Sequence, residues 1–205
     1  DVVVVTSPFQ ASENLVDVIN DVRYIRTNTS QNHTISDTTK DLLQRVKKIF
    51  KIFYFTKKIG DLIKQEKPDV LHAHAMFFCA IPALYWGRKL KIPVVYEVRS
   101  LWMLKKDTAK RKFYTGLIEK LLLSVEIFLM KKASVVIAIN ENLKSFLVKS
   151  GILPKKIKVI KNAVNTNLIN TQKTKIRKGF TDKTVTFGYV GTLTPHEGID
   201  LLIKS

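Results

Sequence analysis

A chain of 205 residues with 45% hydrophobic content holds enough apolar material for one large domain or two small ones, which excludes a disordered segment. Lys and Arg number 35 against 17 Asp and Glu, leaving +18, so an acidic partner fits: nucleic acid, anionic lipid or a nucleotide diphosphate. A single cysteine, Cys79, inside the apolar run "AMFFCAIPAL", excludes a disulfide framework and a thiolate zinc site, and a reducing cytoplasmic location is the expectation.

In chain order, short β-branched runs alternate with longer helical patterns. "DVVVV" opens the chain with a strand over Val2 to Val5 and shows no charged leader, so the start of the protein is expected to be missing. Val22 to Arg26 reads as a second strand, followed by the polar loop "TNTSQNHTISDTT". The glycosylation patterns at Asn28 and Asn32 matter only in a secreted protein. Apolar residues at Leu42, Val46, Phe50, Phe53 and Leu62 predict a helix from about Asp41 to Gln65, ending before Pro68. "DVLHAH" predicts a strand and residues 77–89 a helix; Pro93 introduces the strand "VVYEV".

Beyond the loop "RSLWMLKKDT" a helix is predicted from Ala109 to Lys132, then the strand "SVVIAI" and a helix from Glu141 to Ser150, with Gly151 as its left-handed stop. Within the first of these helices "LLLSVEIFLM" is the most lipid-like stretch, yet Lys120, Glu126 and Lys131 keep it far short of the ~20 apolar residues a span requires. "IKVIKNAV" carries a last short strand, and a polar segment leads to a run from Val185 to Val190, Gly191 and a helix opening at Gly198. Alternation of this kind predicts an α/β fold with an open, doubly wound, mostly parallel Rossmann-like sheet. Three domain segments follow: 1–168, a linker over 169–183, and the start of a second Rossmann-like unit over 184–205.

In such a sheet ligands sit at the carboxyl ends of the strands. Three ends carry chemistry: Thr6 and Ser7, His72 and His74, Glu97 and Arg99. Residues two apart in a strand share a face, so His72 and His74 can converge on one ligand, as can Glu97 and Arg99. Imidazole can exchange a proton near neutral pH, and guanidinium grips phosphate or carboxylate in a fixed fork. Alternatives stay open at this point: one histidine packed inside the sheet, a Glu97–Arg99 ion pair without further role, or a metal held by His72 and His74. Gly188 and Gly191 bear on phosphate binding, but a full dinucleotide fingerprint is absent, which argues against hydride transfer.

Three phrases in order carry a resemblance: "PDVLHAHAMFFCAIPALYWGRKLKIPVVYEVRSLW", "KKASVVIAINENLKSFLVKSGILPKKIKVIKNAVN" and "VTFGYVGTLTPHEGIDLLIKS". Together they resemble a family 4 glycosyltransferase of the GT-B fold, over Val2 to Ser205. The resemblance implies two Rossmann-like halves with the active site between them, the opening strand standing where the family has its second. It also implies retaining transfer from a nucleotide diphosphate sugar to a glycan or lipid-linked acceptor, with no cofactor and no essential metal.

The resemblance gives an acceptor-side role to Arg99, where many members carry a histidine, and the neighbouring strand-end residues Glu97, His72 and His74 are the further acceptor-side candidates. The donor diphosphate side goes to Gly191 and Thr192. Ala163 and Asn165 depart from the family's usual Asn-Gly-Val-Asp turn, and Glu197 stands where many members have lysine. The paired glutamates and basic pair of the donor half have no counterpart, so the 205 residues alone are expected to be inactive and the tail mobile or packed in a non-native way.

The helical region "QRVKKIFKIFYFTKK" mixes lysines with Phe50, Phe53, Tyr54 and Phe55, which suits a peripheral contact with an anionic membrane at the cytoplasmic face. Two other function classes compete with the enzyme. One is a nucleic-acid or anionic-surface binding module on the same sheet, for which no recognition motif exists, so nucleic acid is not the expected partner. The other is a metal-dependent hydrolase centred on His72 and His74.

Overall fold

The computed structural model describes residues 1–7, 14–27, 42–74, 77–99, 101, 113–166, 188–191 and 198–204, with residues 42–49 and 113–115 as backbone only. The predicted linker 169–183, both glycosylation patterns, most of the "RSLWMLKKDT" loop and Thr192 lie outside these residues. Two compact units divide the chain: Asp1–Lys105 with Lys112–Lys161, and Lys106–Arg111 with Asn162–Ser205.

The first unit runs β1 (Val3–Val5), β2 (Val16–Ile19), β3 (Val22–Ile25), α1 (Leu42–Glu66), β4 (Leu71–His74), α2 (Phe77–Leu90), β5 (Val94–Val98), α3 (Phe113–Lys132), β6 (Val135–Ala138), α4 (Glu141–Lys149) and β7 (Ile157–Val159). Four of these strands form an all-parallel sheet in the order β4-β5-β6-β7, each joined to the next through a helix. This is the Rossmann-like βαβ arrangement that the alternation of β-branched and helical runs predicts. The other three form a separate mixed sheet in the order β1-β3-β2.

That second sheet contains an element the sequence reading lacks. β2 pairs antiparallel with β3 across Asn20 and Asp21, both with positive φ of 50° and 62°, as a type I′ hairpin requires. Periodicity conceals β2, because Val16, Val18 and Ile19 are all substantially exposed and show no inside-outside alternation. The Asn-Asp pair between two valine-rich runs is the signal that marks it.

The parallel sheet builds the core. Along β5, Val94, Tyr96 and Val98 are buried while Val95 and Glu97 are half-buried, so alternate residues face opposite ways. The buried face meets the helices: Tyr96, Met130, Val136, Ala138 and Leu147 are essentially inaccessible and belong to one cluster. α1 and α2 approach closely at Gly60, where a Cβ would come within 2.1 Å of the Trp86 ring. Trp86 Nε1 donates to the Thr56 carbonyl at 2.7 Å and fixes that contact.

α4 shows local sequence dictating both ends. Asn140 caps the helix, its side chain accepting from the Leu143 N–H at 2.7 Å. At the other end Ile152 N donates to Leu147 O at 3.1 Å and Gly151 N to Val148 O at 2.9 Å, with Gly151 at φ +85°. These are the paired bonds of a Schellman stop.

The second unit contains α5 (Ile199–Lys204), opened by Gly198 at φ +68°, whose carbonyl accepts from Leu201 and Leu202. Among its described residues, 188–191 carry no strand, so the strand expected over Val185 to Val190 is not formed in that part.

Candidate functional site

The parallel register of β4 against β5 decides which strand-end residues meet. His72 pairs with Val95 and His74 with Glu97, which puts His72, His74 and Glu97 on one face of the sheet. Tyr96, one residue before Glu97, points to the opposite face and into the helices.

One carboxylate gathers the set. Glu97 Oε2 lies 3.1 Å from His72 Nε2, and Oε1 lies 3.2 Å from both His74 Nε2 and Arg99 Nε. The Glu97 side chain is only 16% exposed, whereas His72, His74 and Arg99 are each about half exposed. Neither histidine is packed inside the sheet. The imidazole rings stand 6.0 Å apart between centroids, edge to face.

The chemistry follows from the donors. With Nε2–H directed at the carboxylate, each imidazole keeps Nδ1 as an acceptor, able to take a proton from a hydroxyl group. Arg99 spends Nε on Glu97 and keeps its two terminal nitrogens as a fork for an anion. Among the described residues no group of three or more His, Cys, Asp or Glu is placed to hold a metal ion.

A second constellation, absent from the sequence reading, lies behind the first. Glu126 of α3 is 4% exposed, and its Oε1 accepts from the Tyr96 hydroxyl. The backbone N–H of Phe77, at the start of α2, lies near the carboxyl and favours its charged form. Oε2 is buried without a hydrogen-bond partner. Burial pushes the Glu126 carboxyl above its ordinary range, with Tyr96 and Phe77 pulling back, and burial beside Glu126 raises the Tyr96 hydroxyl. The pair ties β5 to α3 on the face of the sheet opposite Glu97.

Thr6 is buried, its carbonyl accepting from Thr27 Oγ1 at 2.8 Å while its own hydroxyl has no partner. Gly191 is exposed in the second unit, and a Cβ there would come within 2.5 Å of the Tyr189 hydroxyl.

The family model for Glycosyltransferase Family 4 matches residues 1–168, which span every element from β1 to β7. The chain belongs to glycosyltransferase family 4. No curated protein matches it in sequence. Among solved structures this family 4 chain is similar to UDP-GlcNAc 2-epimerase from Neisseria meningitidis bound to UDP-GlcNAc, with 17% identity, a TM-score of 0.40, and 69% of this chain and 38% of that one covered. It is also similar to UDP-N-acetylglucosamine 2-epimerase from Rickettsia bellii, at 15% identity and a TM-score of 0.38, covering 60% of this chain and 28% of that one. UDP-GlcNAc 2-epimerase from Methanocaldococcus jannaschii gives 22% identity and a TM-score of 0.36, with 54% and 27% covered. The family 4 chain thus spans between 27% and 38% of the length of these structures.

Proposed function

We propose that this family 4 chain forms the acceptor-binding side of an enzyme that transfers a sugar from a nucleotide diphosphate sugar to a hydroxyl of a glycan or lipid-linked acceptor, with retention of configuration. The observation that carries the reading is the meeting of His72, His74 and Arg99 on the Glu97 carboxylate, at strand ends inside the family match. In this reading Glu97 holds both imidazoles in one orientation, and a free Nδ1 accepts the hydrogen bond, and then the proton, of the attacking hydroxyl. Arg99 binds anionic groups of the acceptor or of the departing diphosphate. It takes no part as a base, because guanidinium stays protonated.

Gly191 and Thr192 are the donor-side residues of this proposal, supported by the resemblance of "VGTL" alone. Fixed positive charge and backbone N–H groups around the leaving diphosphate supply electrostatic stabilisation. The paired glutamates and basic pair that the family carries for this task have no counterpart in the 205 residues, so the chain alone is expected to give no turnover. Phe50, Phe53 and Tyr54 on the outer side of α1, all more than 60% exposed, support an acceptor presented at a membrane surface.

The test is a titration of the chain with glycan and polyprenyl-phosphate-linked acceptors, read from the imidazole NMR resonances, alongside release of nucleoside diphosphate from nucleotide sugars. Acceptor-induced shifts at His72 and His74 that vanish in Glu97→Gln are expected. A panel that leaves both resonances unmoved would take the cluster out of the acceptor site. Sugar transfer by the chain alone would overturn the division of labour between the two halves.

A further inference from the structure

α3 is apolar on both of its faces. Toward the core, Glu126, Ile127 and Met130 are 8% exposed or less. On the outer side Leu117, Leu121 and Phe128 are 70%, 64% and 57% exposed, and Ile118 and Val125 lie beside them at 50% and 36%. Residues 117, 121, 125 and 128 recur at helical spacing and form one stripe along the helix. A helix apolar all round is a buried helix, and an exposed stripe of this size marks a surface that something covers.

The charge around the stripe selects the occupant. Lys120 and Lys131 are exposed along one flank of it, and Lys132 is exposed at its C-terminal end. The two acidic residues of α3 avoid this side: Glu126 is buried, and Glu119 falls half a turn away, opposite the centre of the stripe. A second copy of the chain would bring another +18 against the same lysines. An anionic bilayer surface accepts both features, taking the leucines and phenylalanine below the headgroups and the lysines among the phosphates. No helix among the described residues is long and apolar enough to cross a membrane, which leaves α3 to lie in the interface.

We propose that the outer face of α3 is a docking surface for an anionic lipid bilayer, with Leu117, Leu121, Val125 and Phe128 inserted and Lys120, Lys131 and Lys132 on the headgroups. The inference stands on α3 alone and does not depend on sugar transfer. α2 packs against both α1 and α3, and the exposed aromatic residues of α1 are a separate patch that the test below distinguishes from α3.

The experiment is flotation of the 205-residue chain with vesicles of phosphatidylglycerol and phosphatidylcholine, against phosphatidylcholine alone, at low and high salt. Binding to the anionic vesicles only, weakened by salt, is expected. The double variant Leu121→Gln/Phe128→Gln keeps helix-compatible side chains and should reduce partitioning about tenfold or more, from the apolar area withdrawn, while thermal unfolding stays within a few degrees. Phe53→Gln on α1 separates the two helices. Loss of binding in that variant with none in the α3 double variant would overturn the proposal. So would absence of vesicle binding by the unaltered chain, or a stable dimer in sedimentation that the α3 variant dissociates.

Discussion

At the scale of residues, the Tyr96–Glu126 pair shows how a buried acid can work against stability as pH rises. In the unfolded chain the Glu126 carboxyl ionises near its ordinary value of 4.5, whereas the folded protein holds the proton to a higher pH because the site is desolvated. Above pH 4.5 the unfolded state therefore binds fewer protons than the native state, and stability falls until the raised native value is passed. This is the opposite of a salt-bridged carboxylate. Urea unfolding between pH 4 and pH 8 should show a decline that is flattened in Glu126→Gln; parallel curves for the two proteins would remove Glu126 as its source. Tyr96→Phe withdraws the hydroxyl donor from a carboxyl whose Oε2 is already unpartnered, and a loss of about 1–3 kcal/mol is expected at neutral pH. Neither partner is legible in the sequence as part of a pair. Glu126 reads there as an interruption of an apolar run, and Tyr96 as one residue of a buried strand. The site divides in the same way. That His72 and His74 share a face follows from strand alternation, but that Glu97 joins them depends on the β4–β5 register, which no local pattern contains.

At the scale of elements, the helices and parallel strands were legible because each carries its own period and its own stops. α4 is the clearest case: its left-handed stop at Gly151 is read from the sequence, and the structure adds Asn140 as the cap at its other end. Gly151→Ala should cost about 1–2 kcal/mol from the forced left-handed conformation. The added Cβ would also meet Lys131 Nζ at 3.0 Å, a flexible tip that can move aside. Asn140→Ala should cost about 1 kcal/mol. Both values are read from denaturant midpoints with unchanged slopes, and a variant that altered the slope would point to a change in the unfolded ensemble instead. Gly60→Ala is expected to cost more than either, because the clash is with a tryptophan ring whose Nε1 is committed to Thr56. The division of the seven strands into a parallel sheet of four and a mixed sheet of three was not legible. Alternation announces strands, and non-local pairing decides which of them share hydrogen bonds.

At the scale of the whole molecule, the net charge of +18 is compatible with several anionic partners, and its distribution decides among them. A dedicated nucleic-acid surface gathers its basic residues into one stripe or one recognition helix. Here exposed lysines are spread over the helices and the parallel sheet of the first unit: Lys51 on α1, Lys89 on α2, Lys120 on α3, Lys149 on α4 and Lys158 on β7. Lys158 lies on the sheet while the others lie on helices, so a rigid duplex meets only a fraction of the charge in any one orientation. Attraction of this kind is a counterion effect, without information about base sequence. Duplex oligonucleotides are therefore expected to bind weakly at low salt, to lose about 10³-fold or more in affinity between ~50 mM and ~200 mM salt, and to compete equally whatever their sequence. Fluorescence anisotropy over a salt series, with unlabelled competitors of varied sequence, measures both properties. A site that survived the higher salt and preferred one sequence by about 10³-fold would make nucleic acid a specific partner and reopen the binding-module reading. Salt-sensitive, sequence-blind binding would instead be the +18 acting as a non-specific field.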